Sequence, residues 1–523
     1  MKTTYIGFLI LIITLISCDD TDDTIETGTK EPTIELITGT ADFSSYVAVG
    51  ASFTAGYTDG ALFKAAQENS FPNILSQEFS KLGGNTLTQP MMNDNIGGLL
   101  FGGQENPGFL TRLFFNGTGP SRIDDTPTTE VFTPQSGTYS NMGVPGAKST
   151  HIIYDGLGNS ANLATGTANP YYVRMASAGN ATVLGDAMAQ NPTFFTLSEI
   201  GANDVLGYAT TGGDGSNPIT PSEGPLGQGF DSTFGYIVQI LTSGGAKGAV
   251  TAVPSITSLP HFTTVPFNAL EPENEDFGPQ IPTLNATFSR LNAAFTFLGM
   301  EDRSIVFSET EDSAVVVHDQ DLTNIAPQLK QVLMGGGLDE GTATIYANQF
   351  AQSRQANEND LFVLPSSSVI GTVNVEYYTD LINSMVPPDT AGQLAINGIT
   401  YPLRDKWVLI PSEQDALTKA TEAYNITIKA VAATNNLAVV DLNAILQEAS
   451  TTGIEFDDYN MTTDLVFGGL VSLDGIHLTA RGYAFMANKF LEAIDDKYES
   501  NFIASKNKAK ASDYGTNYSP ALR

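Results

Sequence analysis

Short apolar runs alternate along the chain with longer amphipathic patterns, and this alternation predicts the architecture. Five runs are rich in strand-favouring residues and apolar on consecutive positions, which is typical of strands buried on both faces of a sheet. These runs are Tyr46–Gly50, Thr138–Gly143, Thr193–Ile200, Ala246–Pro254 and Leu437–Leu442.

Helical spacing of apolar residues is visible in three places. The pattern over Asp231–Ser243 opens on an Asp-Ser pair suited to cap a helix, and the pattern over Ala416–Asn435 leads into the last apolar run. The third pattern, Leu478–Tyr498, has Thr479 as its expected N-cap. Strands that alternate with helices predict an α/β fold with a buried, mainly parallel sheet of five strands. Ligands are then expected at the carboxyl ends of those strands.

The stretch 262–404 does not fit a single crossover between neighbouring parallel strands and predicts a large insertion with structure of its own. Two Gly-rich segments, Asn93–Gly119 and Gly207–Gly229, are predicted to be long loops. The main domain is expected to cover residues 41–500, and the polar tail 501–523 is expected to fray. Within the insertion, helices are predicted at Leu284–Leu298 and Asp321–Met334, with an apolar stretch at Asp360–Val375.

The first residues carry an export signal. Lys2 precedes an apolar run, Tyr5–Ser17, which is short for a membrane-spanning helix but typical of a signal peptide. The run ends at Cys18, directly after a small residue, which resembles a bacterial lipobox whose cysteine becomes the lipidated first residue of the mature chain. The alternative is an ordinary signal peptide with an incidental cysteine. We expect residues 1–17 to be a lipoprotein signal peptide and Cys18 to be the lipid anchor.

An acidic, Thr-rich segment follows the cysteine, beginning Asp19-Asp20-Thr21-Asp22-Asp23. Dense like charge without apolar periodicity predicts a solvated tether, here over residues 18–40. Acidic residues after a lipidated cysteine also resemble the export signals of surface lipoproteins in the Bacteroidetes. We therefore expect an exported lipoprotein of the outer membrane, at its periplasmic face or at the cell surface.

Composition narrows the classes of function. The 523 residues carry a formal charge of −33, which argues against nucleic acid as the main partner because phosphate binding needs a basic surface. The hydrophobic fraction of 41% is too high for a disordered chain. A single cysteine excludes an internal disulfide, and four histidines leave few ways to build a metal centre.

Four short blocks carry residues suited to hydrolytic chemistry, and each follows a predicted strand or precedes the last helix. Each block alone is weak evidence, because turn serines, turn glycines and helix-starting asparagines are common, and an Asp-x-x-His arises easily by chance. Together they place a serine, a glycine, an asparagine and an Asp-His pair in a fixed chain order. The blocks are Val49–Gly56, Asn141–Ala147, Gly201–Asp204 and Ser472–His477.

This conjunction resembles the SGNH hydrolases, also called the GDSL esterase/lipase superfamily. The resemblance covers the four blocks and the strands that carry them, and it leaves the 262–404 stretch outside. It implies a three-layer α/β/α, flavodoxin-like fold with a five-stranded sheet. It also implies an ester hydrolase that uses a serine nucleophile and requires no metal or cofactor.

Carried over by position, the resemblance implies that Ser52 is the nucleophile, His477 the general base and Asp474 its orienting partner. A serine hydroxyl needs a base within hydrogen-bond reach, and the base needs a partner that fixes its tautomer. The sequence departs from the family in its first block, where Ala51 stands in place of the usual aspartate. This substitution removes a supporting side chain beside the nucleophile but leaves the nucleophile itself.

The resemblance also implies an oxyanion hole. Its donors are the backbone N–H groups of Ser52 and Gly146 and the side-chain amide of Asn203, with Gly201 and Asp204 as supporting residues. Removing one such donor typically lowers the rate by about 10²–10³-fold. Outside the blocks, His261 is a candidate to line the substrate pocket.

The main hypothesis is a lipid-anchored serine esterase or lipase that cleaves carboxylic esters, with lipid or acyl esters favoured as the small substrate. One alternative is a carbohydrate esterase that removes acetyl groups from glycans, and another is a non-catalytic binding lipoprotein on the same fold. An open polar pocket would favour the glycan. A deep apolar cavity built by the insertion would favour an acyl chain.

Overall fold

Five parallel strands form the central sheet of the computed structural model, which describes residues 34–523. The order across the sheet is β2-β1-β3-β4-β5, and every neighbouring pair is parallel. The five predicted runs contain these five strands, so the α/β class and the parallel five-stranded sheet are confirmed. The strands are β1 Tyr46–Gly50, β2 Asn141–Gly143, β3 Phe194–Ser198, β4 Lys247–Thr251 and β5 Ala438–Val440.

A hydrophobic cluster covers each face of the sheet, because successive side chains of a strand point to opposite faces. On one face, Val47 and Val49 of β1 pack with helices from residues 183–242 and 411–434. On the other face, Tyr46 and Ala48 pack with helices from residues 71–80 and 442–498.

The helices of residues 34–523 vary widely in length. The α-helices are α1 Ser52–Ala55, α2 Lys64–Glu68, α3 Phe71–Ser80, α4 Pro170–Val173, α5 Val183–Met188, α6 Ala202–Thr210, α7 Phe230–Thr242, α8 Pro260–Thr263, α9 Ile281–Phe297, α10 Ala326–Gly335, α11 Glu340–Phe350, α12 Val375–Asn383, α13 Pro388–Leu394, α14 Pro411–Thr434, α15 Leu442–Thr451 and α16 Ala480–Tyr498. Short 3-10 helices span Ser149–Ile153, Ser160–Thr165, Ile256–Ser258, Gly278–Gln280, Glu301–Arg303, Leu364–Ser368, Asp405–Trp407 and Ala511–Asp513.

The three predicted long helices correspond to α7, α14 and α16. Thr479 caps α16 as predicted, since its side chain accepts a hydrogen bond from the Gly482 N–H. The predicted Asp-Ser cap of α7 is wrong: the helix begins one residue earlier, after Gly229, and Asp231 instead accepts a hydrogen bond from Thr427.

Residues 262–404 lie between β4 and β5 and build a third hydrophobic cluster, which contains Val317, Phe288 and Phe350. The two helical patterns predicted there correspond to α9 and to α10, which begins five residues later than expected, at Ala326. The apolar stretch 360–375 forms a short strand and a 3-10 helix.

Five antiparallel pairs of short strands lie outside the central sheet among the described residues. Two of them fall in Asn93–Gly119 and the residues just after it, so the first predicted loop is built from small hairpins. The pairs are Leu100–Phe101 with Gln104–Glu105, Leu113–Phe115 with Pro120–Arg122, Val316–His318 with Ser353–Gln355, Leu361–Phe362 with Val408–Leu409, and Ile454–Phe456 with Tyr459–Met461.

The expectation that the tail 501–523 frays is wrong. Phe502 is buried and packs edge-on against Phe43, and the buried Arg112 donates hydrogen bonds to the carbonyls of Ser519 and Leu522. The tail is polar in composition, but a few well-placed side chains dock it on the domain.

Part of the predicted tether is also packed. The Ile37 N–H donates to the Asn501 side chain, and the Thr40 N–H donates to the Tyr498 carbonyl. The predicted signal peptide, Cys18 and the acidic run after it lie outside the described residues. Within residues 34–523, no helix is both long enough and apolar enough to span a bilayer.

Candidate active site

Three of the four blocks lie at one edge of the sheet, because β2, β1 and β3 are neighbours and parallel. Gly50 at the end of β1 is in register with Gly143 of β2 and Ser198 of β3. The Val144 N–H also donates to the Gly50 carbonyl. The residues that follow these strand ends therefore share the carboxyl edge of the sheet, where ligands of open α/β sheets bind.

Ser52 begins the short helix α1, directly after β1 and Ala51. The turn leaves its backbone N–H at the N-terminus of α1, where the first amides of a helix have no partner within the helix. Ser52 is nearly buried, and its Oγ makes no hydrogen bond to any described residue. The hydroxyl is therefore available to bond with a base or a ligand.

Asp474 and His477 form a bonded pair in the turn that precedes α16. His477 Nδ1 lies 2.8 Å from Asp474 Oδ2, while Asp474 Oδ1 accepts the backbone N–H groups of Ile476 and His477. An ionised carboxylate accepts only, so it holds the proton on Nδ1 and leaves Nε2 able to act as a base.

The protonation state of Asp474 supports this role. Burial favours the neutral acid, but the charge and ring N–H of His477 and the two backbone donors outweigh it. The pKa of Asp474 therefore lies well below its ordinary value, and the carboxylate is charged at neutral pH.

The segment that follows α1 holds the Asp-His turn beside Ser52. The Gly60 N–H donates to Asp474 Oδ2 at 2.8 Å, and Thr58 Oγ1 donates to the Leu478 carbonyl at 2.8 Å. The Tyr57 ring packs against the His477 ring with centroids 4.6 Å apart. The structure thus places the Asp474–His477 pair against the segment that begins at Ser52, and the ring of the next residue, Phe53, lies 5.8 Å from the His477 ring, centroid to centroid. In the described part of the chain, no hydrogen bond joins Ser52 to His477.

Two of the three predicted oxyanion donors, Gly146 and Asn203, lie near each other after the ends of β2 and β3. Asn203, near the start of α6, donates its side-chain amide to the Ala147 carbonyl at 3.0 Å, directly beside Gly146. An amide nitrogen has two N–H groups, so one remains available. Gly146 is exposed, with φ at +77° and open space on the side where a Cβ would project.

The two supporting residues fix the position of α6. Asp204 is fully buried and accepts both the backbone N–H and the hydroxyl of Ser149, which joins α6 to the segment after Gly146. Gly201 has φ at +106°, and a Cβ there would lie 2.8 Å from Val253. A side chain at Gly201 would push α6 and Asn203 away from the sheet edge.

Glu199 is a site residue that the sequence analysis missed. It is buried directly after β3, and its Oε1 accepts the N–H groups of Ala51 at 2.6 Å and Thr54 at 2.9 Å. These bonds support the turn on either side of Ser52, at Ala51 and at Thr54. Its backbone lies in the left-handed region, with φ at +49°, which is uncommon for a residue with a side chain.

Asp59 is the second residue that was missed. It is buried beneath the Asp-His turn, where its carboxylate accepts the Leu473 N–H at 3.1 Å and its own N–H donates to Ser472 Oγ at 3.0 Å. Burial, together with the nearby charge of Asp474, raises the pKa of Asp59 to about 7. Asp59 bonds to Ser472 and Leu473 and so positions the turn, and it makes no hydrogen bond to the His477 ring.

His261 lies behind the turn. Its backbone N–H donates to the Gly475 carbonyl at 3.0 Å, and its Nε2 is buried without a partner among the described residues. Gly475 has φ at +75°, and a Cβ there would lie 2.8 Å from the His261 nitrogen, so only glycine fits. His151 and His318 lie elsewhere: His151 Nδ1 accepts the Lys148 N–H, and His318 pairs with Asp405.

We expect Glu199→Gln to change the pH dependence of stability. Burial raises the pKa of Glu199 to about 7 from an ordinary 4.5, although the hydroxyl and backbone donors around it oppose the shift. The folded state then holds the proton more tightly than the unfolded state, so the free energy of unfolding falls as pH rises from about 4.5 to 7, by up to about 3 kcal/mol. Glutamine does not titrate, so Glu199→Gln should remove this fall in the free energy of unfolding.

Urea unfolding of both chains at pH 5 and pH 8 measures the effect. The exposed Glu455→Gln is the matched control and should follow the wild type. A Glu199→Gln chain that loses as much stability as the wild type between these pH values would contradict the assignment of this titration to Glu199.

No group of three or more His, Cys, Asp or Glu side chains within residues 34–523 is arranged to hold a metal ion. Comparison of the chain with models of protein families, with curated proteins and with solved structures finds no match. The assignment of the candidate site therefore rests on its geometry alone. This geometry comprises a histidine whose tautomer is fixed, a serine hydroxyl without a hydrogen-bond partner among the described residues, and N–H donors at one edge of the sheet.

Proposed function

We propose that the chain is a serine hydrolase of carboxylic esters of the SGNH type. The observation that carries the proposal is the Asp474–His477 pair, bonded at 2.8 Å and held by Gly60 against the segment that begins at Ser52. A base oriented by a buried carboxylate beside a serine at a strand end is the arrangement that acyl transfer needs. The strand order, which is the flavodoxin-like order, supports the same interpretation.

The proposed cycle uses only side chains and backbone of the site. His477 Nε2 takes the proton of Ser52 Oγ as the oxygen attacks the ester carbonyl, and the N–H groups of Ser52 and Gly146 with the Asn203 amide stabilise the oxyanion. The base then protonates the leaving alcohol. Water hydrolyses the acyl-serine with His477 again acting as base, which releases the carboxylic acid and restores Ser52.

Hydrolysis of p-nitrophenyl acetate by the purified full chain tests this proposal. We expect release of nitrophenolate that saturates with substrate and far exceeds the buffer rate. Release at the buffer rate only would favour the second candidate, a non-catalytic binding protein. That candidate is supported by Ala51 and by the absence of a hydrogen bond between Ser52 Oγ and His477 among the described contacts. Acetate release from an acetylated glycan, without activity on acyl esters, would favour a carbohydrate esterase.

We further propose that Cys18 anchors the protein to the outer membrane through lipid, with the 262–404 stretch as an insertion in the hydrolase domain. The support for the anchor is the sequence around Cys18, the only cysteine in the chain. Cys18→Ala is expected to abolish incorporation of labelled fatty acid and to release the protein from membranes, because several acyl chains give stable anchoring. Membrane attachment that survives Cys18→Ala would contradict the anchor.

A further inference from the structure

A large cavity lies within residues 262–404, among α9, α11 and α13. Its volume is about 1500 Å³, above the roughly 300–1,000 Å³ of common small-molecule sites. Its walls come from the third hydrophobic cluster, which is separate from the two clusters that cover the sheet. The apolar wall residues include Val265, Leu270, Phe277, Phe288 and Phe350.

The charges around the cavity select against anionic ligands. Among the described residues that line it, none is Lys, Arg or His, whereas Glu271, Asp276 and Asp389 are acidic. A phosphate or carboxylate placed here would meet no cationic side chain among these lining residues. The walls therefore suit an uncharged, apolar group.

The rim of the cavity exposes apolar side chains. Val373 is 43% exposed and Met385 is 92% exposed, and both contribute to the lining. Met385 lies in the turn that joins α12 to α13, with φ at +65°. Exposed apolar residues at the edge of an apolar cavity mark a place where an apolar ligand or surface makes contact.

The cavity and the candidate active site share one short helix. α8 ends at Thr263, and the next residue, Thr264, already lines the cavity. At the other end of α8, His261 bonds to Gly475 in the Asp-His turn, so the wall begins about one helical turn from the catalytic loop. α8 also packs against the 3-10 helix Leu364–Ser368, whose Leu364 and Ser367 line the cavity.

We propose that this cavity binds the acyl chain of the substrate, which runs from the ester at Ser52 past α8 and between α9, α11 and α13. The inference rests on the proposed esterase function. It assigns to the 262–404 segment the preference of the site for esters with long acyl chains. A long acyl chain reaches the cavity and is buried there against apolar residues, whereas an acetyl group does not reach it. Each buried methylene is worth about 0.8 kcal/mol, so a long chain gains strongly.

Gly392→Phe tests the proposal by placing a large side chain in the lining of the cavity. Gly392 lies on α13 in the lining, and a Cβ there meets no atom within 4 Å, so the larger side chain enters open space. The matched control is Gly235→Phe, a helical glycine of α7 that also has open space around it and lies outside the cavity. We expect Gly392→Phe to lower kcat/KM for p-nitrophenyl dodecanoate about ten-fold or more and to leave that for the acetate within about two-fold.

The thermal unfolding midpoint of each variant reports whether it folds, independently of either ester. Equal effects of Gly392→Phe on both esters, or no effect on the dodecanoate, would overturn the acyl-chain site while leaving the esterase function intact. A wild type that hydrolyses neither ester would refute the esterase function instead.

A direct binding measurement tests the acyl-chain site separately from the esterase function. A fluorescent dodecyl ether, which cannot be hydrolysed, is titrated into the Ser52→Ala chain. We expect its Kd to rise about ten-fold or more with Gly392→Phe added and to stay unchanged with Gly235→Phe added. Equal affinity in all three chains would overturn the proposal whether or not the protein hydrolyses esters.

Discussion

Ser52→Ala is expected to lower kcat for short carboxylic esters by about 10⁴–10⁶-fold. The loss is this large because alanine has no oxygen to form the acyl-enzyme, so the oriented base at His477 has no nucleophile to activate. KM should change little, since the methyl group takes nearly the same space. Initial rates of p-nitrophenyl acetate hydrolysis, with the thermal unfolding midpoint as a check on the fold, measure the effect.

Ser366→Ala is the matched control. Ser366 is also buried, and its Oγ also has no partner in the described chain, but it lies in the 3-10 helix Leu364–Ser368 away from the strand ends. It should keep the wild-type rate for the acetate. A Ser52→Ala chain that retains more than a few per cent of wild-type activity would show that another residue is the nucleophile.

Asp474→Asn is expected to lower kcat by about 10⁴-fold. In the wild type, Oδ2 accepts both the Gly60 N–H and the His477 Nδ1–H. An amide NH₂ in that position faces donors, so the imidazole reverses its tautomer to accept at Nδ1 and places its proton on Nε2. The base is then blocked although the geometry is nearly kept. Activity should return partly at higher pH, where hydroxide takes the proton of Ser52 that the blocked imidazole cannot accept.

Asp405→Asn provides a matched control, because Asp405 binds His318 at 2.7 Å in a similar His–Asp pair outside the candidate site. It should leave ester hydrolysis unchanged. The measurement is kcat for p-nitrophenyl acetate between pH 6 and 9 for all three chains. A loss of activity no larger in Asp474→Asn than in Asp405→Asn would contradict the role of Asp474.

The central sheet was largely predictable because most of its strands, such as β1 and β3, are buried on both faces and therefore appear in the sequence as short apolar runs. The boundaries of the helices were harder to predict from the sequence. α14 begins at Pro411, five residues before its apolar pattern, because its polar first turn is held by Glu413, whose carboxylate accepts the Ile410 N–H. That bond stabilises a helix start without any apolar residue to mark it.

Within the candidate site, the places of Ser52 and Asn203 after β1 and β3 were predictable, because each follows an apolar run that forms a strand. The buried acids that support the turns of the site were not predictable. Glu199 acts on Ala51, 148 residues away in sequence, and Asp59 acts on Leu473, 414 residues away. Only the packing of strand ends and loops brings these pairs together, so no local pattern marks either acid.

The tail after Ser500 is a second case in which contacts between residues distant in sequence decided the structure. Here they order a segment that the sequence predicted to be frayed. Its polar composition is typical of a frayed end, yet Phe502 enters an aromatic cluster with Phe43 and Phe79. Arg112, more than 400 residues earlier, holds its last turn through two carbonyls. One aromatic residue and one distant cation are enough to order a segment when their partners are already fixed by the core.

Covalent labelling tests the central claim most directly, because it needs no knowledge of the natural substrate. The full chain is treated with a fluorophosphonate, digested, and the modified residue is located by mass spectrometry. We predict one adduct, on Ser52, that disappears in Ser52→Ala and falls steeply in His477→Ala, since the serine is reactive only with its base. An unlabelled wild type, or an adduct that persists in Ser52→Ala, would contradict the account.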